Sequence, residues 1–184
     1  HILNREDSDF VYIYWRRRIW KTSLILKAVE NYKYIYLFVW DKSKIELVNE
    51  FSEIIKTNLN INYLNFTTFR EILDFLFDYS RQNKLIIIFD EFQNFFNIDK
   101  WIFSDFQYFW DLNNKNINIK IFCLWSHFTL MKEIFENNKN PLFWRKTASF
   151  YLKSFNINTQ IEILNDYNNL SSDKLLYFYS IFAW

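Results

Sequence analysis

The stretch Y-W-R-R-R-I-W-K-T-S, Tyr14 to Ser23, decides how this chain is read. A phosphate-binding loop is written G-x-x-x-x-G-K-[ST]. Lys21 and Thr22 stand where that pattern wants them, and four residues separate the two positions reserved for glycine. Both of those positions, 15 and 20, hold tryptophan. Glycine is needed there because the backbone turns through positive φ and must approach the phosphates closely. An indole at either place would stand against the anion site. Three readings are open: a chance likeness, an inactivated nucleotide site, or a glycine codon read as tryptophan. By itself, R-R-R is also what a solvated basic turn looks like.

The surroundings of the stretch favour a phosphate loop. Apolar runs alternate with amphipathic segments, as in βαβ architectures. Phe10 to Tyr14 reads as a buried strand feeding the loop, and Thr22 to Glu30 as a helix leaving it. Tyr34 to Val39, Leu85 to Phe89, Ile119 to Leu124 and Phe150 to Leu152 read as further strands. Ser43 to Leu59 carries apolar residues at helical spacing, and Thr68-Phe-Arg-Glu71 is a capping box opening a helix to about Gln82. His127 to Phe135 and the region after Leu152 read as helical. The expected fold is α/β, a three-layer P-loop NTPase fold with a mainly parallel sheet and helices on both faces.

Composition narrows the class and adds a puzzle. With 184 residues the chain holds one domain with a real core. A net charge of +1 gives no electrostatic footprint for nucleic acid or an anionic membrane, and the apolar runs are too short to span a bilayer. The single cysteine, Cys123, reads as part of a buried strand. A cytoplasmic location is the expectation. The count of glycine is 0 and that of tryptophan 8. At a usual frequency of about 7% roughly 13 glycines are expected, and none at all arises by chance on the order of once in a million. Some bacterial lineages read UGA as glycine where another code reads tryptophan. A gene translated with the wrong table would lose glycines and gain tryptophans.

A second motif, L-I-I-I-F-D-E over Leu85 to Glu91, is an apolar strand ending in two carboxylates, the Walker B form. Alone it is also a strand ending in surface acids. About seventy residues after a phosphate-loop candidate, with strand–helix units between, it gains force. The division of labour would follow the phosphoryl-transfer pattern. The backbone of Trp15, Arg16, Arg17, Arg18, Ile19 and Trp20 would wrap the phosphates of ATP, continued by Lys21, Thr22 and Ser23 at the helix start. Lys21 would reach the terminal phosphate oxygens. Thr22 and Asp90 would place Mg²⁺, and Glu91 would orient the attacking water.

Together these motifs resemble a prokaryotic, largely archaeal ATPase family in the STAND and AAA+-like branch of P-loop NTPases. Asn4-Arg5-Glu6 matches the family's opening N-R-E, and Ile13 to Ser23 matches its loop except at the two tryptophans. Phe89-Asp90-Glu91-Phe92-Gln93 matches its I-D-E-F-Q, Leu124-Trp125-Ser126 its strand ending in G-S, and Pro141 to Thr147 its P-L-Y-G-R-[RK]-T. Trp15, Trp20, Trp125, Trp144 and Trp184 thus fall on family glycines. Trp110 falls where the family often has tryptophan, whereas Trp40 and Trp101 are open. The resemblance implies a sensor role for Ser126, whose other reading is a helix N-cap. It implies a sensor or arginine-finger role for Arg145, whose other reading is a surface salt bridge. His127 reads as a first-turn helix residue. It also implies that 1–184 is a truncated ATPase domain lacking a winged helix and further regions. ATP turnover would then drive or switch an attached domain or protein partner. If Trp15 and Trp20 are literal, the alternative is an inactive regulatory domain.

Overall fold

A computed structural model of the protein describes residues 2–15, 21–126, 128–152, 156–167 and 171–182, with backbone only for Trp15, Lys21, Phe128, Phe178, Ile181 and Phe182. The strands are β1 (Asp9–Trp15), β2 (Tyr34–Phe38), β3 (Leu85–Asp90), β4 (Ile119–Trp125) and β5 (Ala148–Leu152). The helices are α1 (Lys21–Val29), α2 (Lys44–Leu59), α3 (Phe69–Tyr79), α4 (Phe95–Ile98), α5 (Trp101–Asn113), α6 (Phe128–Glu136), α7 (Ile157–Asp166) and α8 (Ser172–Phe182). The strands pair in parallel in the order β2-β3-β4-β1-β5. Their C-terminal ends therefore share one edge, where such sheets bind ligands.

Strict alternation explains the layers. Phe10, Tyr12, Leu85, Ile87, Phe89, Ile119, Ile121 and Cys123 face the larger core, with residues of α2, α3, α5 and α6. Val11, Ile86, Ile88, Phe122 and Leu124 face the other side and meet Ile25 and Val29 of α1. Both faces of β3 and β4 are buried, which is why they read as unbroken apolar runs rather than alternating ones. The expected α/β sheet with helices on both faces is what the chain forms.

Local chemistry sets the helix ends. Ser43 and Glu46 close a capping box on α2, and Thr68 and Glu71 close the expected one on α3. The α2 helix ends at Asn60 in the left-handed region, φ 57°, a place usually given to glycine. Helix α3 ends at Tyr79, short of Gln82; past it the Ser80 hydroxyl competes for the Leu76 carbonyl and the Arg81 N–H bonds Asp78 in a tighter, i→i−3 turn. Residues 92–118, left without an element in the sequence pattern, hold a 3-10 turn (Phe92–Asn94), α4 and α5.

The opposite, N-terminal edge of the sheet carries a buried ion cluster. Asp9 is 1% exposed and Lys120, opposite it in the β1–β4 register, is 0% exposed. Lys120 Nζ donates to Asp9 Oδ2 at 2.9 Å and to the Asp7 carbonyl. Arg5 donates to Asp9 Oδ1 at 2.5 Å, and the Thr147 hydroxyl donates to the same oxygen at 2.9 Å. The N-R-E motif and the end of the P-L-F-W-R-K-T motif thus meet on one carboxylate.

Candidate nucleotide site

Strand β1 ends at Trp15 and α1 begins at Lys21, the strand–loop–helix order a phosphate loop requires. Arg16, Arg17, Arg18, Ile19 and Trp20 lie outside the described residues, as do the side chains of Trp15 and Lys21. Ser23 is exposed in the first turn of α1. Thr22, next to it, is half-buried, and its Oγ1 donates to Asp90 Oδ2 at 2.6 Å across 68 residues of chain. This bond ties the last residue of β3 to the first turn of α1.

Asp90 is 1% exposed and receives two more donors. The Tyr36 phenol, from β2, donates to Oδ2 at 2.8 Å, and the Glu91 N–H donates to Oδ1 at 2.9 Å. Burial, together with the hydrogen bond and negative charge of Asp90, pushes the Tyr36 phenol well above its ordinary range. Tyr36 therefore remains a donor at any physiological pH. Sequence reasoning missed it, because nothing in Y-I-Y-L-F-V distinguishes this tyrosine from a strand residue chosen for packing.

Glu91 turns away from the strand in the left-handed region, φ 54° and ψ 42°, a conformation that costs a β-carbon-bearing residue about 1 kcal/mol or more. The turn sends its carboxylate towards β4, the strand lying between β3 and β1. There Ser126 Oγ donates to Glu91 Oε2 at 2.5 Å. Gln93 Nε2 donates to the same oxygen and, at 2.9 Å, to Ser126 Oγ. The described bonds of Ser126, expected as a sensor or a helix N-cap, are these two, to Glu91 and Gln93.

Arg145 is not brought to this group. Its Nε and Nη2 fork onto Asp111 at 2.9 and 2.6 Å, and Nη1 donates to the Pro141 and Phe143 carbonyls at 2.6 and 3.0 Å. Within the chain Arg145 thus forms a salt bridge, a bidentate guanidinium closing the 141–145 turn. His127, expected in the first turn of α6, lies outside the described residues.

The tryptophans behave differently from one another. Among the described residues three have positive φ, namely Asn60, Glu91 and Trp144. Trp144, at φ 63°, is 81% exposed, and its indole meets the neighbouring Phe143 ring edge-on rather than filling the core. Trp125 is fully buried against Phe92 and Phe135, yet its indole N–H meets no acceptor. Trp110 is buried in the larger core, as suits a literal tryptophan, whereas Trp40 and Trp101 are exposed.

The Thr22 hydroxyl and Asp90 carboxylate are hard oxygen donors placed side by side, so the residues present fit a Mg²⁺ shared with phosphate oxygens. Among the described residues no group of three or more His, Cys, Asp or Glu side chains forms a metal cage. Such an ion would be held jointly with a nucleotide. Among the same residues no helix is long and apolar enough to cross a membrane.

Comparison with known proteins agrees with this geometry. In sequence, the chain is 32% identical over 151 residues to the uncharacterized protein MJECL04 of Methanocaldococcus jannaschii, covering 82% of this chain and 32% of that one. Its fold resembles the Walker-type ATPase PABY2304 of Pyrococcus abyssi, at TM-score 0.70 and 19% identity, over 92% of this chain and 57% of that one. It also resembles the ORC2 protein of Aeropyrum pernix solved with ADPNP and ADP, at TM-score 0.61 and 15% identity, over 87% and 45% of the two chains. The chain therefore spans a third to just over half of these relatives' lengths. Residues 1–180 match the family described as an ATPase domain predominantly from Archaea, and the chain belongs to that family.

Proposed function

We propose that this domain binds Mg·ATP at the C-terminal edge of its sheet and hydrolyses it, and that the working gene product carries glycine at positions 15 and 20. The observation that carries the proposal is the 2.6 Å bond from Thr22 Oγ1 to Asp90 Oδ2. It brings the end of the phosphate-loop motif and the end of the Walker B strand together where hydrolysis needs them. The nearby Glu91 carboxylate, held on the β4 side by Ser126, supports its role as the group that accepts a proton from the attacking water. Lys21 and the N–H groups of residues 15–20 stabilise negative charge on the phosphates, and Thr22 and Asp90 hold the metal. Mg²⁺, when bound, neutralises the β- and γ-phosphate oxygens. Turnover would switch or drive a further domain or protein partner, and the span of 1–184 is one ATPase domain of a longer architecture.

The left-handed backbone of exposed Trp144 supports the codon proposal from the structural side, since glycine takes that conformation without cost. Codon identity tests it directly: UGA at positions 15, 20 and 144 is the expected finding, and UGG at 15 and 20 ends it. The functional test is turnover. The Trp15→Gly, Trp20→Gly chain is expected to release phosphate from ATP, and adding Glu91→Gln to leave binding intact while removing turnover. Failure of the glycine chain to hydrolyse ATP leaves the inactive regulatory domain as the better description.

A further inference from the structure

We propose that Gln93 is a positioning residue for Glu91: its side-chain amide, bonded to both Glu91 and Ser126, holds the carboxylate in the direction hydrolysis requires. The inference rests on the reading of Glu91 as the group that orients water. It starts from a three-membered ring of side chains. Ser126 Oγ donates its single proton to Glu91 Oε2, so the same oxygen can only accept from a third group. Gln93 supplies that group, with Nε2 within bonding distance of both Glu91 Oε2 and Ser126 Oγ.

The ring fixes which way round the amide stands. A flipped amide would set Oε1 against the carboxylate and against an oxygen with no proton left to give. Only the NH₂ group can face both partners. The cost of this choice is visible: Gln93 Oε1 is buried and has no hydrogen-bond partner, in a residue only 5% exposed. A buried unpaired carbonyl is expensive, so the amide keeps this orientation for what Nε2 gains at Glu91 and Ser126.

The backbone supplies the reason a latch is needed. Glu91 sits in the left-handed region with its N–H bonded to Asp90 Oδ1, so it leaves the strand on a sharp turn. A glutamate side chain on such a turn has several rotatable bonds and many directions to choose from. The 3-10 turn over Phe92–Asn94 immediately places Gln93 back under it, and the buried Phe92 pins that turn in the core. Gln93 and Ser126 then select the rotamer leading towards β4. Both donors are neutral, so they set direction without supplying a counter-charge.

The test uses the Trp15→Gly, Trp20→Gly chain. Gln93→Met keeps length and apolar volume but donates nothing. ATP affinity is expected to stay within about twofold, while kcat falls about tenfold or more, the range for disturbing a general base. Ser126→Ala is expected to lower kcat similarly, and the double variant to be no worse than the weaker single, because both remove one ring. Gln93→Glu, which replaces the donor by a second carboxylate, is expected to show the same loss with binding retained. In nucleotide-free protein, the Gln93 side-chain amide ¹⁵N–¹H signals, assigned by their loss in Gln93→Met, are expected to move on Ser126→Ala. Unchanged or raised kcat in Gln93→Met with binding intact, or losses that simply multiply, overturns the inference while the ATPase reading stands. A glycine chain that binds no ATP removes both.

Discussion

The two edges of the sheet each hold buried carboxylates, and they are satisfied in different ways. At the N-terminal edge, Asp9 is held by two cations, Arg5 and Lys120, and by the Thr147 hydroxyl. At the C-terminal edge, the hydrogen bonds described at Asp90 and Glu91 come from neutral groups: hydroxyls, a phenol, an amide and a backbone N–H. Cations hold a carboxylate and offset its charge, whereas neutral donors fix its direction. The first arrangement joins Arg5, ahead of β1, and Thr147, ahead of β5, to the sheet. The second suits a site that must receive a metal ion and a polyanion.

The sharpest way to break this contrast is at Asp9. Asp9→Ala leaves Lys120 fully buried without its carboxylate and is expected to cost about 3–5 kcal/mol, read as a urea midpoint shift. Lys120→Met should cost much less, because Arg5 and Thr147 still serve Asp9 and the replacement packs. Equal losses in the two variants would mean that the pair is not what holds this edge.

At the other edge a smaller effect with a pH signature is expected. Tyr36→Phe removes one of the donors described at Asp90 and should cost about 1 kcal/mol at neutral pH. The Tyr36 phenol is raised in the folded protein, so its contribution is fully present below the ordinary tyrosine value of 10.0 and is lost as pH rises above it. Tyr36→Phe should therefore flatten the alkaline limb of the stability curve, measured by thermal midpoint between neutral pH and pH 10 upwards. An unchanged alkaline limb would contradict the placement of that phenol against Asp90. Cys123, whose thiol burial also pushes up, adds to the same limb in both proteins and cancels in the comparison.

The smallest effect is a gain. Trp144→Gly removes the left-handed strain at an exposed indole and is expected to stabilise the chain by about 1 kcal/mol. Trp110→Gly, at a buried position in the larger core, is expected to destabilise by several kcal/mol. A thermal midpoint raised by the first and lowered by the second would separate misread from literal tryptophans without any nucleotide.

Much of the fold was readable in the letters, because strands buried on both faces give unbroken apolar runs and capping boxes are local. Helix α5 was not. Ile102, Phe103, Phe106, Phe109 and Trp110 are buried at helical spacing, but Trp101, Tyr108 and Leu112 are exposed apolar residues that blur the stripe. The candidate site divides the same way. Thr22, Asp90 and Glu91 stand in linear motifs. Tyr36 joins Asp90 from 54 residues away and Gln93 joins Ser126 across 33, pairings that only the sheet order creates. The P-L-F-W-R-K-T motif was visible, but its Arg145 turns to Asp111 and its Thr147 to Asp9.

The proposal stands or falls on whether glycine at positions 15 and 20 gives this sequence motif the ability to bind Mg·ATP. Equilibrium titration of Mg·ATP against two proteins, the literal chain and the Trp15→Gly, Trp20→Gly chain, tests it most directly. Saturable binding by the glycine chain and none by the literal one is the expected result. Equal affinity in both, or no binding in either, would contradict it.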